Sequence, residues 1–147
     1  MRRPLLIAVA LVLVAGVGLL LARYLTTENR ERSEILTLLE AQAAGDPQKM
    51  LDVLGDECRD DPRCVATVEA NAGKLRRPGE PKIISLRSGT AYALGEATGV
   101  TRVAWTVIDE GLPVVQCVSV HRGGSALEGR TVTLRRISAP IGNESSC

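Results

Sequence analysis

Phenylalanine is absent from this 147-residue chain, and Trp105, Tyr24 and Tyr92 are its only aromatic residues. Large rings bury the most area per side chain, so the core must be built from aliphatic residues and needs other support. Without aromatics between basic residues there is no platform for stacking bases, which argues against a single-stranded nucleic-acid binder. His121 is the only histidine, and this excludes a His-rich metal centre. Charge of one sign is also missing. The formal net charge is +1, and without Arg2, Arg3 and Arg23 the remaining 15 basic and 17 acidic residues sum to −2. Nothing in that balance points to a polyanion, and no nucleic-acid partner is expected. The adjacent basic pairs Arg76-Arg77 and Arg135-Arg136 read as solvated surface.

What is present begins with an apolar run from Pro4 to Ala22, behind Met1-Arg2-Arg3. As a helix it would span ~28 Å, close to the ~30 Å hydrocarbon core of a bilayer. The competing reading is a cleaved signal peptide. Its apolar core runs about 7 to 15 residues and ends at a small-residue site, whereas this run is longer and lacks Ala-x-Ala. The expectation is therefore an uncleaved signal anchor with residues 1–27 as cytoplasmic tip and span, the bilayer as partner through residues 4–22, and residues 28–147 outside. Arginines flank the run on both sides, so charge leaves its orientation open. The four cysteines, Cys58, Cys64, Cys117 and Cys147, all follow it, and paired thiols persist in oxidising compartments. A single-pass protein of the cell membrane with an extracytoplasmic carboxy-terminal domain is the resulting expectation.

Zinc and disulfides compete for those cysteines. Five residues separate Cys58 from Cys64, wider than the two to four usual in zinc knuckles, and Cys117 with Cys147 forms no second knuckle. Disulfides are the better reading. Of the three possible connectivities, locality favours Cys58–Cys64 and Cys117–Cys147. No metal or other cofactor is expected.

Residues 28–147 are enough for one domain. Ile35, Leu38, Leu39 and Ala43 repeat at helical spacing over Glu28 to Ala44, and Gly45 ends that helix. Asp46-Pro47 and Asp61-Pro62 each pair an N-cap acceptor with a residue pre-set for the first turn, so two further helices start there. The second of these ends at Gly73. After Arg76-Arg77-Pro78-Gly79 the period falls to two and β-branched residues take over. Strands are expected over 82–87, 90–97, 100–108, 113–121 and 130–138, with a hairpin at Thr98-Gly99. In that register Leu94 faces Val103 and Tyr92 faces Trp105. Tyr92, Leu94, Glu96, Val103, Trp105 and Val107 then become the candidate lining of a pocket. In the fourth strand Val114, Gln116, Val118 and Val120 share one face and Val115, Cys117, Ser119 and His121 the other, so the tail ending at Cys147 should lie over the Cys117 face.

The expected fold is α+β: an amino-terminal transmembrane helix, then short helices packed on a curved, cone-like antiparallel sheet of four to five strands. This order, with the Ala43-Ala44-Gly45-Asp46 break between helices, resembles the nuclear transport factor 2-like superfamily within the cystatin-like group. The resemblance implies a cone that holds a small ligand, acts as an isomerase or dehydratase, or is filled by side chains. Envelope proteins of similar layout carry such a domain as a scaffold.

Catalysis would need a proton-transfer group with an orienting partner. Glu96 and Asp109 are candidate carboxylates, but Glu96 lies beside the expected hairpin and Asp109-Glu110-Gly111 reads as a turn. Cys117 and His121 lie about 13 Å apart along one strand, too far to act together. Ser119 is nearer to His121, yet no acid in the sequence is placed to orient it. The catalytic set is therefore empty. The expected function is a non-catalytic binding or scaffold module of the bacterial cell envelope, taking a protein partner or a small apolar ligand. The alternative is a small isomerase-like or hydrolase-like enzyme using the same cone. Asn143-Glu144-Ser145 also matches a short glycosylation sequon.

Overall fold

Thr27, Glu31, Ile35, Leu38, Leu39 and Gln42 recur at steps of three and four, and all six are buried. They form one stripe of a single helix, α1 (Arg2–Ala44), in the computed structural model, which describes residues 2–91, 95–107, 110–124 and 131–147. Gly45 ends α1 with a φ of 74°, and its N–H bonds the Gln42 carbonyl. The left-handed region favours glycine there.

The apolar run thus belongs to a 43-residue helix that also carries the domain's packing face. The expected transmembrane element is corrected on this point: among the described residues, no helix is long and apolar enough to cross a membrane. Within the run, side chains are described without a break over residues 7–19. Its large apolar side chains, including Leu11, Val12, Leu13 and Val14, are exposed.

Both Asp-Pro signals start helices. Asp46 caps α2 (Pro47–Leu54) by accepting from the Lys49 N–H, and Asp61 caps α4 (Pro62–Lys74) by accepting from the Arg63 N–H. Between them lies a single turn, α3 (Asp56–Arg59), which has no apolar periodicity to announce it. It begins after Gly55, whose φ of 76° turns the chain.

Four antiparallel strands follow in the spatial order β1-β2-β3-β4: β1 (Pro81–Ser88), β2 (Ala97–Val107), β3 (Glu110–Gly123) and β4 (Thr131–Ile137). The helices cover one face. Ile83, Val103, Trp105, Val107, Val114, Val118, Val120, Leu134 and Ile137 pack there against Ile35, Leu38, Leu39, Met50, Leu54 and Val68.

Among the described residues of the expected strand over 90–97, only Ala97 is in a strand, and that strand is β2. Thr90 and Ala91 lie in a turn, Gly95 and Glu96 in a bend, and residues 92–94 lie outside the described residues. Thr98 and Gly99 sit within β2, opposite His121 and Val120, so there is no hairpin at that dipeptide. Gly99 serves a different need. A Cβ on it would lie 2.6 Å from Thr90 Cγ2 and 3.1 Å from the Gly89 carbonyl carbon, so close backbone approach requires glycine there. The β2–β3 ladder instead continues to Val107 opposite Glu110.

The register changes accordingly. Val103 faces Leu86 and Gln116, and Trp105 faces Ile83 and Val114. Both disulfides form as the spacing suggested, Cys58–Cys64 and Cys117–Cys147. Beyond β4 the chain runs on beside β3, where the Ser138 N–H bonds the Cys117 carbonyl and the Ile141 N–H the Val115 carbonyl. It then turns onto the Cys117 face, where Arg102 donates to the Asn143 and Ser145 carbonyls.

Candidate functional site

The four candidate pocket residues that are described, Glu96, Val103, Trp105 and Val107, are not brought together. Val103, Trp105 and Val107 are at most 1% exposed and belong to the packed core between sheet and helices. Tyr92, Leu94 and Asp109 lie outside the described residues. Glu96 stands on the opposite side of the sheet, with its side chain 75% exposed.

Between the helices and the sheet, buried polar side chains bond to one another. Gln42 of α1 and Gln116 of β3 exchange amide hydrogen bonds of 2.9 and 3.2 Å. The Trp105 indole N–H donates to the same Gln116 oxygen at 2.9 Å, and the Gln116 amide also donates to the Ser138 carbonyl at 2.9 Å. Unpaired, each of these buried groups would cost about 1–3 kcal/mol, so the network holds α1, β2, β3 and the start of the tail in one arrangement. Arg77, read from the sequence as surface, lies with its guanidinium 5.8 Å from the Trp105 ring centroid.

A second network closes the other end of the sheet. The Glu31 carboxylate accepts from Arg122 Nε at 3.0 Å, from Thr101 Oγ1 at 2.6 Å and from Ser88 Oγ at 3.2 Å. Arg122 also donates to the Thr90 carbonyl at 3.0 Å. Four polar side chains of this cluster, Glu31, Thr90, Thr101 and Arg122, are buried. The one sequence signal for it is that Glu31 lies four residues before Ile35, on the buried face. A charged residue at such a position usually reads as the edge of the stripe.

On the outer face, the register that sets Thr98 opposite His121 also draws Glu96 in. His121 Nδ1 lies 3.0 Å from Thr98 Oγ1, and Nε2 lies 3.3 Å from Glu96 Oε1. The acid that the sequence could not place beside His121 is thus present, 25 residues away. With Nε2 donating to Glu96, Nδ1 accepts from the Thr98 hydroxyl, the order of carboxylate, base and hydroxyl used by nucleophilic enzymes. The exposure of Glu96 leaves this pair screened by water. Ser119, the nucleophile considered from sequence, faces Val100 and Arg136.

A shallow open groove of about 360 Å³ lies between α4 and β4, lined by Asp61, Arg63, Cys64, Thr67, Arg136 and Ile137. Asp61 both caps α4 and pairs with Arg136 at 3.1 Å. Arg135 likewise pairs with Glu57. Among the described residues no group of three or more His, Cys, Asp or Glu side chains could hold a metal ion. The two disulfides are compatible with an extracytoplasmic location. Family models, curated proteins and solved structures contain no match to this chain.

Proposed function

We propose that the chain is a non-catalytic binding or scaffold module working outside the cytoplasm. The observation that carries this reading is the filled interior: Trp105, Gln116 and Gln42 bond to one another between the helices and the sheet. Recognition then belongs to the surface. The broadest apolar surface is on α1, where nine large apolar side chains between Ile7 and Leu21 are 50–72% exposed. Exposed apolar area of that extent marks a place of association with another apolar surface. The helices-then-meander order supports the likeness to the nuclear transport factor 2-like superfamily, several of whose envelope members are scaffolds.

Glu96, His121 and Thr98 favour a second reading, a small hydrolase-like enzyme acting on the outer face. Complementation of a deletion strain separates the two, with abundance of every variant matched. A binding module should tolerate Glu96→Gln and His121→Gln and lose function with Val14→Asp, which charges a 70%-exposed apolar position. Loss with either of the first two and tolerance of the third would replace the module by the enzyme.

A further inference from the structure

The two disulfides differ in what they hold and in who can reach them. Cys58 and Cys64 are 0% and 5% exposed and join α3 to α4 inside the core. Cys147 is exposed at the chain end, and Cys117 is half-buried on the outer face of β3. Thiol–disulfide exchange needs an unobstructed line of attack on a sulfur, so an external dithiol should meet the second bridge first.

The segment is anchored at its start, where the Ser138 carbonyl accepts from the Gln116 and Asn71 amides, and past that point it is held lightly apart from the bridge. From Ser138 onward, its backbone bonds to the sheet are those from Ser138 to Cys117 and from Ile141 to Val115. Cys117 N–H also donates to Ser138 Oγ, and Arg102 donates to the Asn143 and Ser145 carbonyls. Residues 142–147 are all exposed. Val115 of β3, 2% exposed, is bridged to Ile141 of the segment at the sheet edge. The segment also lies beside the part of β3 that β4 leaves unpaired, since the β3–β4 ladder stops at Val118 opposite Ile137. Pro113, two residues before Val115 on the same edge, has no N–H to offer.

We propose that residues 138–147 are a redox-latched strap, which an external dithiol releases by reducing Cys117–Cys147 ahead of Cys58–Cys64. One thiolate of the dithiol attacks Cys147 Sγ, forming a mixed disulfide and expelling the Cys117 thiolate, which takes up a proton. The second thiolate of the dithiol then closes on its own sulfur and expels Cys147, which is protonated in turn. Two electrons and two protons reach the protein, and the dithiol becomes a disulfide. The released strap frees the Val115 carbonyl on the edge of β3 and the Arg102 guanidinium. The strap therefore regulates a surface, a role that rests on the binding-module reading. The latch chemistry itself does not depend on that reading.

The test uses the full chain and dithiothreitol as the dithiol. Timed alkylation with mass mapping should label Cys117 and Cys147 at least tenfold faster than Cys58 and Cys64. Hydrogen exchange of the partly reduced protein should show the Ile141 amide losing its protection outright, while the β2–β3 amides exchange faster as global stability falls but stay protected. Full-chain Cys117→Ser/Cys147→Ser should show the same exchange pattern without reductant. Equal or reversed labelling order, a strap still protected after its bridge is cut, or protection lost across the whole sheet would each overturn the proposal. None of those results bears on the filled interior, so the binding-module reading would stand or fall separately by complementation.

Discussion

Glu31 on α1 and Arg122 on β3 are 91 residues apart in sequence and form an ion pair whose side chains are 0% and 3% exposed. Burying such a pair returns little net stability against apolar residues of equal volume, because both ions are desolvated. Its effect is geometric. Ser88, Thr90 and Thr101 complete the bonding, so α1 can sit at only one height and rotation on the sheet.

Glu31→Ala or Arg122→Ala should each destabilise the domain by about 3–5 kcal/mol, since each strands a buried charge. Glu31→Leu/Arg122→Met should cost far less than the two single changes added together. Urea denaturation of the singles and the double gives the coupling directly. Single-variant losses under about 1 kcal/mol would show that the pair does not anchor α1.

Gln116→Leu should destabilise by about 1–3 kcal/mol or more, because it leaves the Trp105 indole N–H and the Gln42 amide without partners. Trp105 is the only tryptophan, so its emission reports this site alone. In the native protein the emission should be blue-shifted and resistant to iodide. An emission maximum at the position of a hydrated indole would contradict the filled interior.

The two helix caps should be separable. Asp46→Ala and Asp61→Ala should each cost about 1 kcal/mol through the lost cap. Asp61→Ala carries a small further loss from its partly exposed pair with Arg136. Asp61→Asn keeps a cap acceptor and should recover most of the difference in thermal melts.

Non-reducing peptide mapping should recover the links Cys58–Cys64 and Cys117–Cys147 and no other. In a chain-entropy account the sequence separations of 6 and 30 correspond to about 2.4 and 3.7 kcal/mol. Cys117→Ser/Cys147→Ser should therefore lower the melting temperature more than Cys58→Ser/Cys64→Ser. The reverse order would mean that strain or local packing outweighs the loop term.

Elements governed by order and spacing along the chain were legible. The two Asp-Pro starts, the stop at Gly45, the change of period after Pro78 and the local disulfide pairing all follow from rules that act along the chain. Alternation along β3 likewise put Cys117 on the face that the tail now covers. α3 was hidden because a four-residue turn has no period to detect. The membrane span was read from the run of apolar residues, and among the described residues no helix is long and apolar enough to cross a membrane.

By itself the sequence determined where α2 and α4 begin and where α1 ends, which strand faces are apolar, and which cysteines are near enough to join. Only the tertiary structure decided what meets across the sheet. Thr98-Gly99 has hairpin composition, yet Gly99 is spent on close approach to Gly89, and that shift moved Trp105 opposite Ile83 and Val114. It also placed Glu96 beside His121 and gave Glu31, Gln42 and Gln116 their buried partners. The reason is physical: a polar residue on an apolar stripe is costly or useful according to a partner that lies tens of residues away. Register between distant strands decides whether that partner arrives.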